Sequence, residues 1–294
     1  MAETSKLAGS GIDEAACAAH VAAIEAKATH IETPCGDGTL AWRVWGEGEP
    51  LVLIHGSQGD WTHLIRNIEV LARHYRVIVL DMPGHGDSAL PPDRSHAGMT
   101  PFTGQGLRQL LREGERANLV GFSYGGVHGT WLAAAFPELV RRIVLIGVGG
   151  LDTPVGPIEL TQVRTHTGKA RSQAHRSNLL GLMVHNPESA DDLAIWLSEM
   201  TYLKSRFRQR DYEVMPDFVM QALPRVRAQV DAIWGAFDRA HPDPASQLAA
   251  LRKGVPDAEM RVIPDAGHWV PYEQAERFNA ELLDLLAASL RVPG

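Results

Sequence analysis

Six short stretches of this sequence are apolar at most positions: PLVLIHG (50–56), RVIVLD (76–81), ANLVGF (117–122), RIVLIG (142–147), VDAIWG (230–235) and EMRVIP (259–264). A strand that is apolar on alternate residues can keep one face in water. A strand that is apolar on consecutive residues must be covered on both faces. Helix-like segments such as WTHLIRNIEVLARHY (61–75) and VHGTWLAAAFPELV (127–140) separate the runs. Alternating buried strands and helices dictate an α/β fold with a mainly parallel sheet and right-handed crossovers. Two further strand candidates precede these, ATHIETP (28–34) and TLAWRVWG (39–46), joined by the turn residues Cys35-Gly36-Asp37-Gly38. Before them, residues 13–27 are alanine-rich and follow a Gly-Ser-Gly start, which predicts a helix.

Bulk properties narrow the function. The 294 residues suffice for a large buried core, and 45% hydrophobic with 21% charged residues is the balance of a globular protein. A net charge of −7 argues against a nucleic-acid partner, because phosphate binding draws on Lys and Arg. The cluster Lys204, Arg206, Arg208, Arg210 reads as a solvated helix face. Two cysteines, Cys17 and Cys35, make no disulfide framework. The first twenty residues have neither a basic leader nor an apolar core, and no run approaches the ~18 apolar residues of a membrane span. The expectation is a cytoplasmic protein with no membrane partner and a small-molecule substrate. Oligomerisation is left open, since the N-terminal helix could pack on a second copy or cap the sheet edge.

One interval is too long for a simple crossover. Between Gly149 and Val230 lie about 80 residues with amphipathic patterns such as SNLLGLMVH (177–185) and SADDLAIWLSEMTYLKSRF (189–207). Excursions of this length between strands serve as lids or binding segments. The expected division is a core of 1–149 and 230–294 with a helical insertion over 150–229.

The chemistry centres on GFSYGG (121–126), a G-x-S-x-G match between a strand candidate and a helix-like run. A tight strand-to-helix turn lifts the serine above the sheet, and the new helix aims backbone N–H groups at the same place. A serine hydroxyl needs a base, and the base needs an acid to fix its tautomer. Of thirteen histidines, His268 in PDAGHW follows the last strand candidate, at the sheet edge that should carry Ser123. Asp238 in WGAFDRAHP follows strand 230–235, with Asp152 in GGLDTP as its rival. The oxyanion donors are expected to be the backbone N–H groups of Tyr124 and Ser57, the latter in the loop HGSQGDW (55–61), where His55 braces the turn. Phe122 adjoins the nucleophile, and Trp61, Trp131, Trp196 and Trp269 predict apolar surroundings. No metal motif, dinucleotide fingerprint or phosphate-binding loop is present, so no cofactor and no metal is implied.

Together HGSQGDW, LDMPGHGDS, GFSYGG, FDRAHP and AGHW, in this order, resemble the α/β-hydrolase fold over nearly the whole chain after about residue 28. The resemblance implies a mostly parallel, twisted, eight-stranded sheet with helices on both faces, a helical lid, and serine hydrolase activity. Within that fold the tail GHWVPYEQAERFNAELLDLL is similar to meta-cleavage-product hydrolases, which split a carbon–carbon bond in ring-cleavage diketones. That subgroup has Asn before the nucleophile, where this chain has Phe122. It also uses a lid arginine on the substrate carboxylate; Ser198 falls at that position, with Arg206 and Arg208 as nearby substitutes for a pocket that also includes Trp196 and Trp269. The serine elbow excludes dehalogenase and epoxide hydrolase relatives that use Asp. A non-catalytic receptor, or acyl transfer to an alcohol or peroxide, stays open on sequence alone.

Overall fold

All eight strand candidates form, and all join one sheet. They are β1 (Thr29–Cys35), β2 (Gly38–Trp45), β3 (Pro50–Ile54), β4 (Arg76–Leu80), β5 (Ala117–Phe122), β6 (Val140–Ile146), β7 (Gln229–Gly235) and β8 (Glu259–Ile263). A computed structural model of the protein describes residues 5–207 and 216–289. The strand order is β1-β2-β4-β3-β5-β6-β7-β8. β2 runs antiparallel to both β1 and β4, and every other neighbouring pair is parallel.

β3 and β5 are buried at every position, as their unbroken apolar runs require. Side-chain alternation splits them between two cores: Leu51, Leu53 and Val120 face one, Val52, Ile54 and Leu119 the other. The helices, in chain order, are α1 (Glu14–Glu25), α2 (Ile65–Leu71), α3 (His96–Leu110), α4 (Tyr124–Ala135), α5 (Gly168–Asn178), α6 (Asp192–Lys204), α7 (Phe218–Ala222), α8 (Pro244–Gly254), α9 (Val270–Glu273) and α10 (Ala275–Ala287). α2 and α10 cover the first face through Ile65, Ile68, Phe278, Leu282 and Leu285. α3, α4 and α8 cover the second through Met99, Leu107, Leu132 and Leu251. In α10 the spacing Phe278, Leu282, Leu285, Leu286 is an apolar helix stripe, each member contributing ~1.5–3 kcal/mol on burial.

The helix α3 is the least expected element, because it carries Pro101 and three glycines. Ser95 caps it, accepting from the Gly98 N–H at 3.0 Å. Packing explains one of its glycines: a Cβ on Gly104 would stand 2.2 Å from the Phe136 ring. Close approach to the end of α4 therefore overrides propensity here. α1 is anchored to the sheet, its Ile24 carbonyl accepting from Trp45 Nε1 at 3.0 Å and its Glu25 from Arg43 Nε at 2.8 Å. Between β6 and β7 the chain builds α5, α6 and α7 together with an extended stretch, residues 154–163, that has no regular structure.

The β5–α4 turn is the tightest point of the architecture. A Cβ on Gly125 would lie 2.3 Å from the His55 carbonyl oxygen and 2.5 Å from that of Ile54. Both are backbone atoms at the end of β3 and cannot yield. Gly125→Ala is expected to cost about 3 kcal/mol or more, read as a fall in Tm of roughly 10 °C or as insoluble expression; an unchanged Tm would contradict this packing.

Four buried histidines lie at or next to this turn: His55 ends the β3 side, His128 lies in α4, His96 packs on Tyr124, and His85 packs on His55. Burial holds His55 and His96 down at about 4, and His85 and His128 down at about 3. In the unfolded chain each protonates near the ordinary imidazole value, so unfolding takes up protons once the pH falls below about 6.5. Their stabilising contribution is complete above that value and is lost as the pH drops toward 4, at about 1 kcal/mol per imidazole by pH 5.5. Tm measured from pH 7.5 to 5 should hold steady and then decline steeply below 6.5, and a flat profile would show that these rings are not held neutral.

Candidate active site

Ser123 follows β5 directly and caps α4 with φ 51° and ψ −121°. That left-handed conformation costs of order 1–3 kcal/mol in a residue with a side chain and needs surroundings that enforce it. The Ser123 N–H donates to the last carbonyl of β6, that of Ile146, at 2.8 Å. With its backbone fixed, the side chain stands at the carboxyl edge of the parallel strands, where α/β sheets place their sites.

The other two members come from the loops after β7 and β8. Ser123 Oγ–H donates to His268 Nε2 at 2.9 Å, and His268 Nδ1–H donates to Asp238 Oδ2 at 2.8 Å. The second carboxylate oxygen, Oδ1, accepts from the N–H groups of Ala240 and His241, each at 2.9 Å. Asp238 is thus acceptor on both sides, which fixes the imidazole tautomer and its orientation. Asp238 and His268 are both 3% exposed, so little water competes for these bonds. The rival Asp152 is exposed and is tied elsewhere, its N–H donating to Pro216 O at 2.7 Å.

The loop after β3 approaches from the other side. A Cβ on Gly56 would stand 3.4 Å from Ser123 Cβ, so the chain at Ser57 borders the nucleophile. His55 ties the loop down: Nδ1–H donates to Gly56 O at 2.7 Å and Nε2 accepts from Met82 N–H at 2.9 Å. Ser57, Phe122, Ser123, Tyr124 and His268 all line one cavity of about 960 Å3, at the upper end of small-molecule sites.

The remaining expected pocket residues are not brought together there. Trp269 is absent from the cavity wall; its ring stacks on Tyr272 at 4.2 Å and its Nε1–H donates to His63 O at 2.8 Å. Trp196 packs against the core instead, because Ser198, Thr201 and Tyr202 are the α6 positions that face the cavity and residue 196 lies on a different side of the helix. Arg206 is exposed, with its N–H on Gly84 O at 3.0 Å and its guanidinium on Ser88 O, so it serves the loop after β4 and not the cavity. Arg208 lies outside the described residues.

Several wall residues were not anticipated. His63 lines the cavity, and burial, followed by the charges of His55, His85 and His268, holds it well below the ordinary imidazole range. His241, beside His268, is pushed down to about 4, chiefly by burial. Burial keeps both imidazoles neutral, and of the three rings it is His268 that takes the bond from the Ser123 hydroxyl. The insertion contributes His175, Asn178, Leu179 and Leu182, whose i, i+3, i+4, i+7 spacing was the available signal in the sequence. Val155, Ile158 and Leu160, all exposed, border the cavity from the irregular stretch; periodicity carries no information about such a segment. Among the described residues no group of three or more His, Cys, Asp or Glu is arranged to hold a metal ion, and no helix is long and apolar enough to cross a membrane.

Comparison with known proteins agrees with this geometry. The chain is 31% identical over 259 residues to a 2-hydroxy-6-oxononadienedioate/2-hydroxy-6-oxononatrienedioate hydrolase of Paraburkholderia phymatum, covering 81% of this chain and 87% of that one. It is 28% identical over 264 residues to a 2-hydroxy-6-oxo-6-phenylhexa-2,4-dienoate hydrolase of Burkholderia cepacia, covering 82% and 89%. In fold it is similar to a carboxylesterase of Bacillus subtilis, with a TM-score of 0.73 at 17% identity over 94% of this chain and 97% of that one. A meta-cleavage product hydrolase from Pseudomonas fluorescens gives 0.70 at 24% identity over 87% and 97%. The model of the alpha/beta hydrolase family matches residues 51–281, and with the sheet order and elbow described above the chain belongs to that family.

Proposed function

We propose that this protein is a serine hydrolase of small organic carbonyl compounds, with Ser123 as nucleophile, His268 as general base and acid, and Asp238 as the group that orients His268. The observation that carries the reading is the continuous hydrogen-bonded chain from Ser123 Oγ through His268 to Asp238, anchored on a serine with positive φ at the edge of a cavity. In the first half-reaction His268 Nε2 takes the Ser123 hydroxyl proton as Oγ bonds to the carbonyl carbon. The oxyanion is held by the N–H groups of Ser57 and Tyr124, each such donor contributing ~3–4 kcal/mol. As the intermediate collapses, the bond to the leaving group breaks and His268 returns the proton to it. Water then repeats the sequence on the acyl-Ser123, releasing the acid and restoring the hydroxyl.

Residues 150–229 act, in this reading, as a lid over a core formed by 1–149 and 230–294. Two free, buried cysteines fit a cytoplasmic location. Two substrate classes share the chemistry. The names of the relatives favour the carbon–carbon bond of a ring-cleavage diketone, where the leaving group is a carbon that His268 must help protonate. Phe122 beside the nucleophile, and Arg164 as the one Lys or Arg among the described lining residues and itself exposed, favour an uncharged carboxylic ester. Turnover of 4-nitrophenyl esters set against turnover of a 2-hydroxy-6-oxo dienoate separates the two.

Ser123→Ala should reduce kcat by about 10^4-fold or more on whichever substrate is turned over, and Asp238→Asn by about 10^3- to 10^4-fold with KM little changed. A fluorophosphonate probe should label the wild type at Ser123 and leave Ser123→Ala unlabelled. Folded wild-type protein that takes no label would point to a receptor on the hydrolase scaffold, and near-normal turnover by Ser123→Ala would reject the nucleophile.

A further inference from the structure

A second carboxylate–imidazole pair borders the cavity through its imidazole, in the insertion and away from Asp238 and His268. His175 Nε2–H on α5 donates to Glu199 Oε2 on α6 at 2.7 Å. Glu199 is fully buried and held from two more directions, by Arg171 Nε at 2.8 Å on Oε2 and by the Lys6 N–H at 3.1 Å on Oε1. Arg171, 1% exposed, already balances the Glu199 charge and also donates to Val163 O. The bond from His175 Nε2 therefore goes to a carboxylate that already has its own cation. It fixes the ring proton on Nε2 and the ring plane with it, as Asp238 does for His268 through the opposite nitrogen.

His175 is 4% exposed and lines the cavity, yet its Nδ1 has no hydrogen-bond partner among the described residues. With the ring proton on Nε2, Nδ1 is an acceptor, and its lone pair is left for whatever occupies the cavity. Ser198, one position before Glu199, lines the same cavity and offers a hydroxyl that both donates and accepts.

We propose that His175 Nδ1 and the Ser198 hydroxyl form an uncharged polar subsite for a hydroxyl group that the substrate carries at a distance from the carbonyl attacked by Ser123. A hydroxyl satisfies both partners, donating to Nδ1 and accepting from Ser198. A carboxylate can only accept and would face the Nδ1 lone pair. The proposal deepens the hydrolase reading and rests on it for turnover, but the subsite itself is readable by binding alone.

The test uses three sets of 4-nitrophenyl esters with acyl chains of six, eight and ten carbons, at pH 8 where an ordinary imidazole is neutral. Within each length the ω-carbon carries hydrogen, hydroxyl or carboxylate. In the wild type, kcat/KM for the hydroxylated ester should exceed that of the unsubstituted one by about tenfold or more at one chain length, mainly through KM. His175→Phe, which keeps ring volume and the edge contact with Tyr202, should bring that ratio to about one, and Ser198→Ala should lower it severalfold. Because the readout is a ratio between two substrates of one variant, a purely structural role for His175 would leave it unmoved. No hydroxyl preference at any length, a stronger preference for the carboxylated ester, or an unchanged ratio in His175→Phe would each overturn the proposal. Calorimetric binding of 1-octanol and 1,8-octanediol to Ser123→Ala reads the same discrimination without chemistry: tighter diol binding supports the subsite, and equal affinities count against it. If no ester is hydrolysed, that result falls on the proposed reaction and the calorimetry still decides the subsite.

Discussion

The whole site depends on one backbone conformation, the left-handed turn at Ser123. Nothing in serine favours φ 51°. It is enforced by a junction in which β5 ends, α4 begins at the next residue, and the end of β3 comes close enough to leave no room for a side chain at position 125. Gly121 meets the same constraint from within the turn, since a Cβ there would lie 2.5 Å from Gly126 Cα. Strain here is sustained by the sheet: the Ser123 N–H donates to β6, and β5 is paired with β3 on one side and β6 on the other. The loops that bring His268, Asp238 and Ser57 all leave carboxyl ends of parallel strands in that sheet. Register in the sheet thus sets distances in the site.

The electrostatic surroundings follow from burial more than from any single partner. His55, His63, His85 and His241 are imidazoles near or under the site, and in each case loss of water is the main reason the ring stays neutral. A site crowded with neutral imidazoles and few charges has a low local dielectric, which in the proposed reaction would strengthen the attraction of Asp238 for a cationic His268. The carboxylate is prepared for that moment, because two backbone N–H groups hold Oδ1 while Oδ2 accepts from the ring. Such pre-orientation would avoid reorganisation during the proposed reaction.

The central strands β3 to β7 were legible because each is a short apolar run, and a run buried on both faces needs no knowledge of its partners to be recognised, whereas the edge strands β1 and β8 are partly exposed and were marked by the turns and loops around them. The three residues Ser123, Asp238 and His268 were legible for a related reason, since each follows such a run by a few residues and topology sends all three to one edge. The cavity wall was not. Trp269 looked like a pocket residue because it adjoins His268, but one step along the chain reverses the direction of a side chain, and the indole turns to Tyr272 and His63 O. Arg206 looked like an anion ligand because it is a cation beside α6, yet its partners, the Ser88 and Gly84 carbonyls, lie on a loop more than a hundred residues earlier. α3 escaped notice for the converse reason: Pro101, Gly98, Gly104 and Gly106 oppose a helix locally, and only contacts such as that of Gly104 with Phe136 make one favourable.

The insertion is fastened unevenly, and that shapes how the cavity can change. Glu273, at the end of α9, accepts from the N–H groups of His185 and Asn186 in the insertion and of Gly267 next to His268, at 2.6–3.0 Å. The Trp269 N–H donates to Met183 O at 2.6 Å. Asp191, which caps α6, accepts from Arg66 and from the Tyr272 hydroxyl. The chain around residues 183–191 is therefore part of the same hydrogen-bonded unit as the histidine loop, and moving it would displace His268 from Ser123. The 154–163 stretch is tied elsewhere: its Gly156 N–H donates to Ala240 O, Thr161 pairs with Asn178, Val163 O accepts from Arg171, and Val155, Ile158 and Leu160 stay exposed at the cavity edge. Displacing that stretch would break one bond to the loop that carries Asp238, at Ala240, whereas displacing residues 183–191 would break several bonds to the loop that carries His268. Val155, Ile158 and Leu160 make this edge of the cavity apolar, with the exposed Glu159 and Arg164 beside them, whereas His175 and Ser198 supply polar groups to the wall from α5 and α6.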